Sequence, residues 1–330
     1  MIFISRCPSR VSLLGGGSDL DWFVQDHLRG FSIGFSIQVY SRVIVGKRQS
    51  NFKRGLLNYS SREEYKTLDS ISHPIIRSSL KHFSITNPIE LTSFGDVSLG
   101  GGLATSSSFC VALLSSLSKM IDKNISNIEL AKLASDVEID VLKNPIGRQD
   151  QYLCALGGVN FLEFKKDGFV KQNYFPNISQ AINQFSKELF ICDSSIYRSA
   201  SKTLSNIKND NNSVESIIKI RDIADDFIIN SSRSDDINKI ISNLKNSLEE
   251  SWQIKKSLVG VMNKDLEEIE QFLSKNNFQV FKLLGAGGGG YFLVGYNGSD
   301  LNKDLKALKK SKIVLTSINI DNEGCKSWII

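Results

Sequence analysis

An α+β fold is predicted, on three observations. The amino end is rich in apolar residues of strand type, the middle carries helical apolar periods, and strands and helices then alternate irregularly instead of in strict βαβα order. A length of 330 residues exceeds what one hydrophobic core usually serves, so two domains are expected, 1–180 and 181–330.

Ile2-Phe3-Ile4 and Val11-Ser12-Leu13-Leu14 read as strands interrupted by Pro8, which has no N–H to give a ladder. A longer strand is expected over Phe31 to Val45, where Ile33, Phe35, Ile37, Val39 and Val43 alternate. Helices are expected from Ser106 to Met120, from Asn127 to Leu142, and in two or three pieces across Val214 to Lys275. Strands return at Gly158 to Phe164, Leu189 to Cys192, Tyr291 to Gly295 and Ile313 to Ile320. The Asn/Ser-rich run Asn206 to Ser213 reads as a solvent loop, and the link between the two halves falls in residues 165–185.

Hydrophobic residues make up 41% of the chain, enough for a core. Forty Lys and Arg against 35 Asp and Glu leave a net +5, too small and too scattered to argue for a nucleic-acid partner; a negatively charged small substrate accounts for it. Cys7, Cys110, Cys154, Cys192 and Cys325 are odd in number and lack CxxC spacing, which argues against a disulfide framework or zinc site and for a reducing cytoplasm. Residues 1–15 hold no apolar signal core, and the glycine-rich stretch near Leu103 is too hydroxylated to span a bilayer. A cytoplasmic protein with no membrane partner is expected.

Chemistry is concentrated in three glycine-rich stretches, Leu14 to Asp19, Gly100 to Ser107 and Gly285 to Gly290. The middle one, Gly100-Gly101-Gly102-Leu103-Ala104-Thr105-Ser106-Ser107, runs into an apolar helical segment, so its amides and hydroxyls gather at a helix N-terminus, where a phosphate binds well. Ser106, Ser107 and Ser108 stand where an N-cap hydroxyl could also ligate magnesium. An ordinary glycine turn with a serine cap explains the same residues; no GxxxxGK[ST] is present, and no GxGxxG follows the first strand with an acidic residue about twenty positions on. Glu138 and Asp150 supply two carboxylates. Glu138 alone reads as a solvated helix-face charge beside Asp136 and Asp140, whereas Asp150 sits in a polar stretch directly before the apolar Tyr152 to Leu156, as a partly buried acid does.

These motifs together resemble the GHMP kinase superfamily, which includes galactokinase, homoserine kinase and mevalonate kinase. Pro8 to Asp19 is similar to the first family motif, in the form of its heptose 7-phosphate kinase branch; Ser98 to Ser107 is similar to the second and Lys282 to Gly290 to the third. Ile196 to Ala200, Ser251 to Lys256 and Glu323 to Trp328 also resemble that branch. The departures are Ser98 for a proline, Ala104 for a loop glycine, and Leu283-Leu284 where a hydroxyl pair is usual.

The resemblance implies an amino-terminal half like domain 2 of ribosomal protein S5, which binds ATP, and a ferredoxin-like carboxy-terminal half. It implies ATP phosphates on Gly100 to Ser107, Mg2+ on Ser107 and Glu138, and catalysis by Asp150 with Arg10. Acceptor contacts fall to Asp19, Gly16, Gly17, Gly287 and Gly288, and Arg198, Lys255 and Lys256 would hold a sugar phosphate. The implied reaction is phosphorylation of the anomeric hydroxyl of D-glycero-D-manno-heptose 7-phosphate. A galactose- or fucose-type C1 kinase, a mevalonate-type kinase and a non-catalytic nucleotide-binding homologue are the alternatives. A homodimer is compatible with all of these, and the sequence does not decide the oligomeric state.

Overall fold

The computed structural model describes residues 1–330 apart from 50–52, 99, 198–199 and 312. The amino-terminal part is built from β1 (Ile2–Leu14), α1 (Asp21–His27), β2 (Arg29–Lys47), β3 (Gly55–Asn58), β4 (Arg62–Tyr65), α2 (Pro74–His82) and β5 (Ile89–Gly95). It continues with α3 (Thr105–Met120), α4 (Asn127–Ser135), α5 (Gln149–Leu156), β6 (Val159–Lys165), β7 (Val170–Asn173) and α6 (Pro176–Phe185). The rest comprises β8 (Leu189–Asp193), α7 (Ala200–Lys208), α8 (Asn211–Ser231), α9 (Ile237–Lys256), α10 (Lys264–Lys275), β9 (Phe278–Leu283), β10 (Tyr291–Tyr296), α11 (Leu301–Lys310), β11 (Leu315–Ser317) and β12 (Lys326–Ile329).

The first sheet runs β12-β1-β2-β5-β3-β4, with β6 and β7 added through β2. Strand β2 is long enough to serve two partners: residues 29–35 pair with β6 and residues 41–47 with β5. Apolar alternation along it buries Ile33, Phe35, Val43 and Val45 completely. Helices α2 to α5 cover one part of this sheet through a core that includes Val43, Leu91, Val111, Leu114 and Leu153. The second sheet, β11-β8-β10-β9, is antiparallel. Its strands, taken in chain order, lie in the sequence fourth, first, third, second, with helices after the first and third, which is the ferredoxin-like arrangement. A shared core joins the two sheets, where Val11, Leu13 and Phe35 meet Phe281, Leu293 and the inner faces of α6, α8 and α9.

The α+β class stands, and several boundaries move. Strand β1 is continuous through Pro8, because a register shift at Pro8/Ser9 lets the ladder skip the missing N–H. The expected helix to Leu142 ends as α4 at Ser135 and widens into a π-helical turn over Asp136–Val141. Asn206 to Ser213 is mostly helical: α7 ends at Lys208, and α8 begins at Asn211 with Asp210 capping through Ser213 N at 2.9 Å. There the Asn and Ser residues mark a cap and a chain reversal between two helices that bury Ile207 and Ile217. The expected strand Ile313 to Ile320 shrinks to Leu315–Ser317 on the sheet edge. Among the described residues no helix is long and apolar enough to cross a membrane.

Trp252 on α9 is buried, packs edge-on against Phe292 at 6.4 Å, and donates from Nε1 to Glu270 at 2.8 Å. Its indole therefore belongs to the core beneath β9 and β10. Trp252→Ala is expected to cost about 3–5 kcal/mol in denaturant unfolding, and Trp252→Phe, which retains most of the volume, markedly less.

Candidate active site

The three glycine loops converge because glycine alone lets their backbones touch. A Cβ on Gly102 would lie 2.4 Å from Leu284 O, and one on Gly290 2.3 Å from Gly101 O. The second loop and the β9–β10 turn are thus packed main chain to main chain, and Tyr291 N donates to Gly101 O at 3.0 Å. The first loop leaves β1 through Gly15, at φ 75° against Phe31 O, and delivers Asp19. A cavity of about 320 Å³ opens between these loops and the start of α5.

Helix α3 points its N-terminus at this cavity. Ala104 is the N-cap residue, with φ 61° and ψ 35° and no side-chain cap. The expected serine cap is therefore corrected: Ser106 and Ser107 lie in the first turn and turn to Glu138, while Ser108 donates to Cys7 O at 2.7 Å. With no capping side chain at Ala104, the first amides and the positive end of the helix dipole face the cavity mouth.

Glu138 is fully buried, unlike the solvated helix charge that its neighbours suggested. The π-turn carries it inward, where its Oε1 accepts from Ser106 Oγ at 2.9 Å and its Oε2 from Gln151 Nε2 at 2.7 Å. Burial pushes its carboxyl above the usual range, opposed by the bonds from Gln151, Ser107 and Ser106.

Asp150 follows on the first turn of α5, one position before Gln151, so a single helix start holds one acid and positions the other. The buried Arg10 guanidinium binds Asp150 through both oxygens, Nε to Oδ1 at 2.7 Å and Nη2 to Oδ2 at 2.7 Å, and donates its Nη1 to Gly102 O at 2.6 Å. Asp19 accepts from Gly17 N at 3.1 Å and from Gln149 N and Nε2 at 3.1 and 2.8 Å. Burial first, and then the Asp150 charge, raise its carboxyl to about 6, against the pull of the Gln149 and Gly17 amides.

Of the residues singled out from the sequence, Arg10, Gly16, Gly17, Asp19, Gly100, Gly102, Ala104 to Ser107, Glu138, Asp150, Lys255 and Gly287 line the cavity. Gly101, Leu103 and Gly288 lie behind the lining; Leu103 O accepts from Arg10 N, and Gly288 N donates to Val261 O at 2.8 Å. Lys256 is not brought in: it pairs with Glu270 at 3.4 Å and lies over the Trp252 ring. Arg198 lies outside the described residues. Lys282, Ser12 and Gln149 line the cavity with no role assigned from the sequence. The only signal for Lys282 was a lone charge inside the apolar run Val280 to Leu284.

Residues 72–158 match the family model "GHMP kinases N terminal domain". The chain is 26% identical over 345 residues to D-glycero-alpha-D-manno-heptose 7-phosphate kinase of Campylobacter jejuni, covering 99% of this chain and 98% of that one. It is 21% identical to a galactokinase of Thermosipho africanus, over 82% of this chain and 75% of that one. A solved D-glycero-D-manno-heptose 1-phosphate kinase from Bacteroides thetaiotaomicron shares the fold, with a TM-score of 0.77 at 18% identity and 99% coverage of both chains.

Two substitutions in the second loop should act in opposite directions. Ala104→Gly relieves a left-handed alanine and is expected to raise unfolding stability by about 1 kcal/mol. Gly102→Ala places a Cβ against Leu284 O at φ 80° and is expected to lower it by at least that much. Denaturant midpoints of the two variants check both signs.

Proposed function

Since the chain belongs to the GHMP kinase superfamily and is a phosphotransferase, we propose that it is an ATP-dependent sugar kinase acting on the anomeric hydroxyl of a sugar phosphate. D-glycero-D-manno-heptose 7-phosphate is the acceptor we favour, giving the 1,7-bisphosphate for heptose nucleotide and surface polysaccharide synthesis in the cytoplasm. The relative from Campylobacter jejuni supports the sugar. The observation that carries the chemistry is the two-pronged Arg10–Asp150 pair, opening onto the same cavity as the bare N-terminus of α3. In this reading residues 1–180 form the ATP-binding domain and 181–330 the other half of the cleft.

Asp150 takes or orients the proton of the acceptor hydroxyl. A hemiacetal hydroxyl is more acidic than an ordinary alcohol, so a carboxylate of modest basicity suffices. Arg10 holds Asp150 in a fixed rotamer, and its positive charge lowers the cost of negative charge building up on the reacting oxygens. The amides at the start of α3 and the loop from Gly101 hold the donor's phosphates.

Glu138 with Ser107 suits a magnesium ion: a buried carboxylate with no cation paired to it among the described residues, joined to a hydroxyl, supplies the hard oxygen donors that this ion prefers, and phosphate oxygens and water would complete its shell. Bound there, the ion would neutralise charge on the phosphates. Asp19, Gly16 and Gly17 face the acceptor.

Purified protein given ATP, magnesium and a panel of sugars and sugar phosphates should release ADP with a heptose 7-phosphate and much less with galactose or mevalonate. Asp150→Ala is expected to lower kcat by about 10²–10⁴-fold, and Ser107→Ala to raise the magnesium requirement. Parent-like turnover by both variants would remove the assigned roles. Asp19 adds a pH signature. Both its oxygens accept when it is ionised, and a proton turns one of them into a donor, so KM for the acceptor should rise as pH falls through about 6, and Asp19→Asn should abolish that dependence.

A further inference from the structure

We infer that Lys282, with Ser12 and Lys255 beside it, forms an oxyanion subsite that holds a phosphate group carried by the acceptor. This rests on the kinase reading above and narrows it to a specificity-determining residue. Both lysines are buried in the cavity wall, and among the described residues neither has a carboxylate within 4.0 Å. Their ammonium groups reach only carbonyls: Lys282 Nζ donates to Leu13 O at 2.9 Å, and Lys255 Nζ to Leu283 O and Gly285 O at 2.7 Å each. Asp19, the nearest acid in charge terms, already takes its bonds from Gly17 and Gln149. Buried cations left without an anion are costly, and an anionic ligand removes that cost.

A second observation points to the same place. The Ser12 hydroxyl is buried, lines the cavity and has no hydrogen-bond partner among the described residues. The missing side chain of Gly16 marks where these groups meet: a Cβ there would lie 3.0 Å from Ser12 Oγ, 3.5 Å from Gln149 Nε2 and 3.6 Å from Lys282 Nζ. An ammonium, a hydroxyl and an amide converging on one open point is a donor set for a phosphate oxygen. Lys282 is tied to the strand that runs into the first glycine loop, whereas the donor's phosphates belong to the second loop and α3. The oxyanion at Lys282 therefore comes from the acceptor.

Burial first, and then the Arg10 charge, push the Lys282 ammonium down to about 7, with Asp19 opposing; Lys255 and Lys282 repel one another in the same wall. A dianion bound here restores the proton, so binding at a pH near 8 takes up protons from the buffer.

The test uses the full-length protein and Lys282→Met, which keeps length without charge, with Ser12→Ala as a milder second variant. KM is measured for one sugar with and without its phosphate, and for ATP; thermal midpoints are measured with and without inorganic phosphate. Loss of a charged hydrogen bond should raise KM for the phosphorylated sugar by about 10–100-fold in Lys282→Met, with KM for the plain sugar and for ATP little changed. Calorimetry of the phosphorylated sugar in two buffers should show proton uptake in the parent and less in the variant, in which Lys255 remains. Equal effects on both sugars, or a loss confined to kcat or to KM for ATP, would overturn the subsite, the latter by giving the lysine to the transferring phosphoryl group. If the parent phosphorylates no sugar, the kinase reading falls. The subsite is then judged by whether phosphate raises the thermal midpoint of the parent and not of Lys282→Met.

Discussion

The Arg10 guanidinium fastens together three parts of the chain that lie far apart in sequence. Two of its nitrogens bind Asp150 at the start of α5, and the third holds Gly102 O in the second glycine loop, while its own backbone lies in β1. A fully charged, planar fork spends all three directions on fixed partners, which gives one geometry instead of several. Strand, loop and helix start are set relative to each other by this one side chain. Everything proposed for the cavity depends on it.

Around that fastening, the loops work by absence of side chains. Gly102 against Leu284 O and Gly290 against Gly101 O leave no room for a Cβ, so the second glycine loop and the turn of the second sheet form one wall. That contact joins the sheets at the cavity, as the apolar core of Val11, Leu13, Phe281 and Leu293 joins them beneath it. Ala104 is the exception, an alanine held in the left-handed region at the head of α3. The strain lies beside the helix dipole proposed to meet phosphate, where a fixed backbone serves binding more than stability does.

Much of the site was legible in the sequence because its signals are local. Glycine clusters next to hydroxyls, and an acid ahead of an apolar helix, can be read within ten residues. Burial was less legible. Glu138 sits among Asp136 and Asp140 and looks solvated, and only the π-turn, invisible to a 3.6-residue period, carries it inside. Lys255 and Lys256 are neighbours in sequence but about 100° apart on the helix, so one enters the cavity and the other reaches Glu270. Lys282 escaped notice because its partner, Leu13 O, is 269 residues away. Asn206 to Ser213 failed for the opposite reason, since composition was read where capping geometry decided.

Strand β12 returns from beyond the second sheet to pair with β1, with Phe3 opposite Ile329 and Arg6 opposite Lys326. The outer side of the first sheet is therefore sealed by residues more than 300 positions downstream. Until that late strand docks, β1 stands as a bare edge able to pair with another chain, and the strand bearing Arg10 lacks one of its two neighbours. Assembly of the cavity wall that carries Arg10 is in this way a long-range event, slow to nucleate. Local unfolding at one end of the polypeptide is thereby felt at the other.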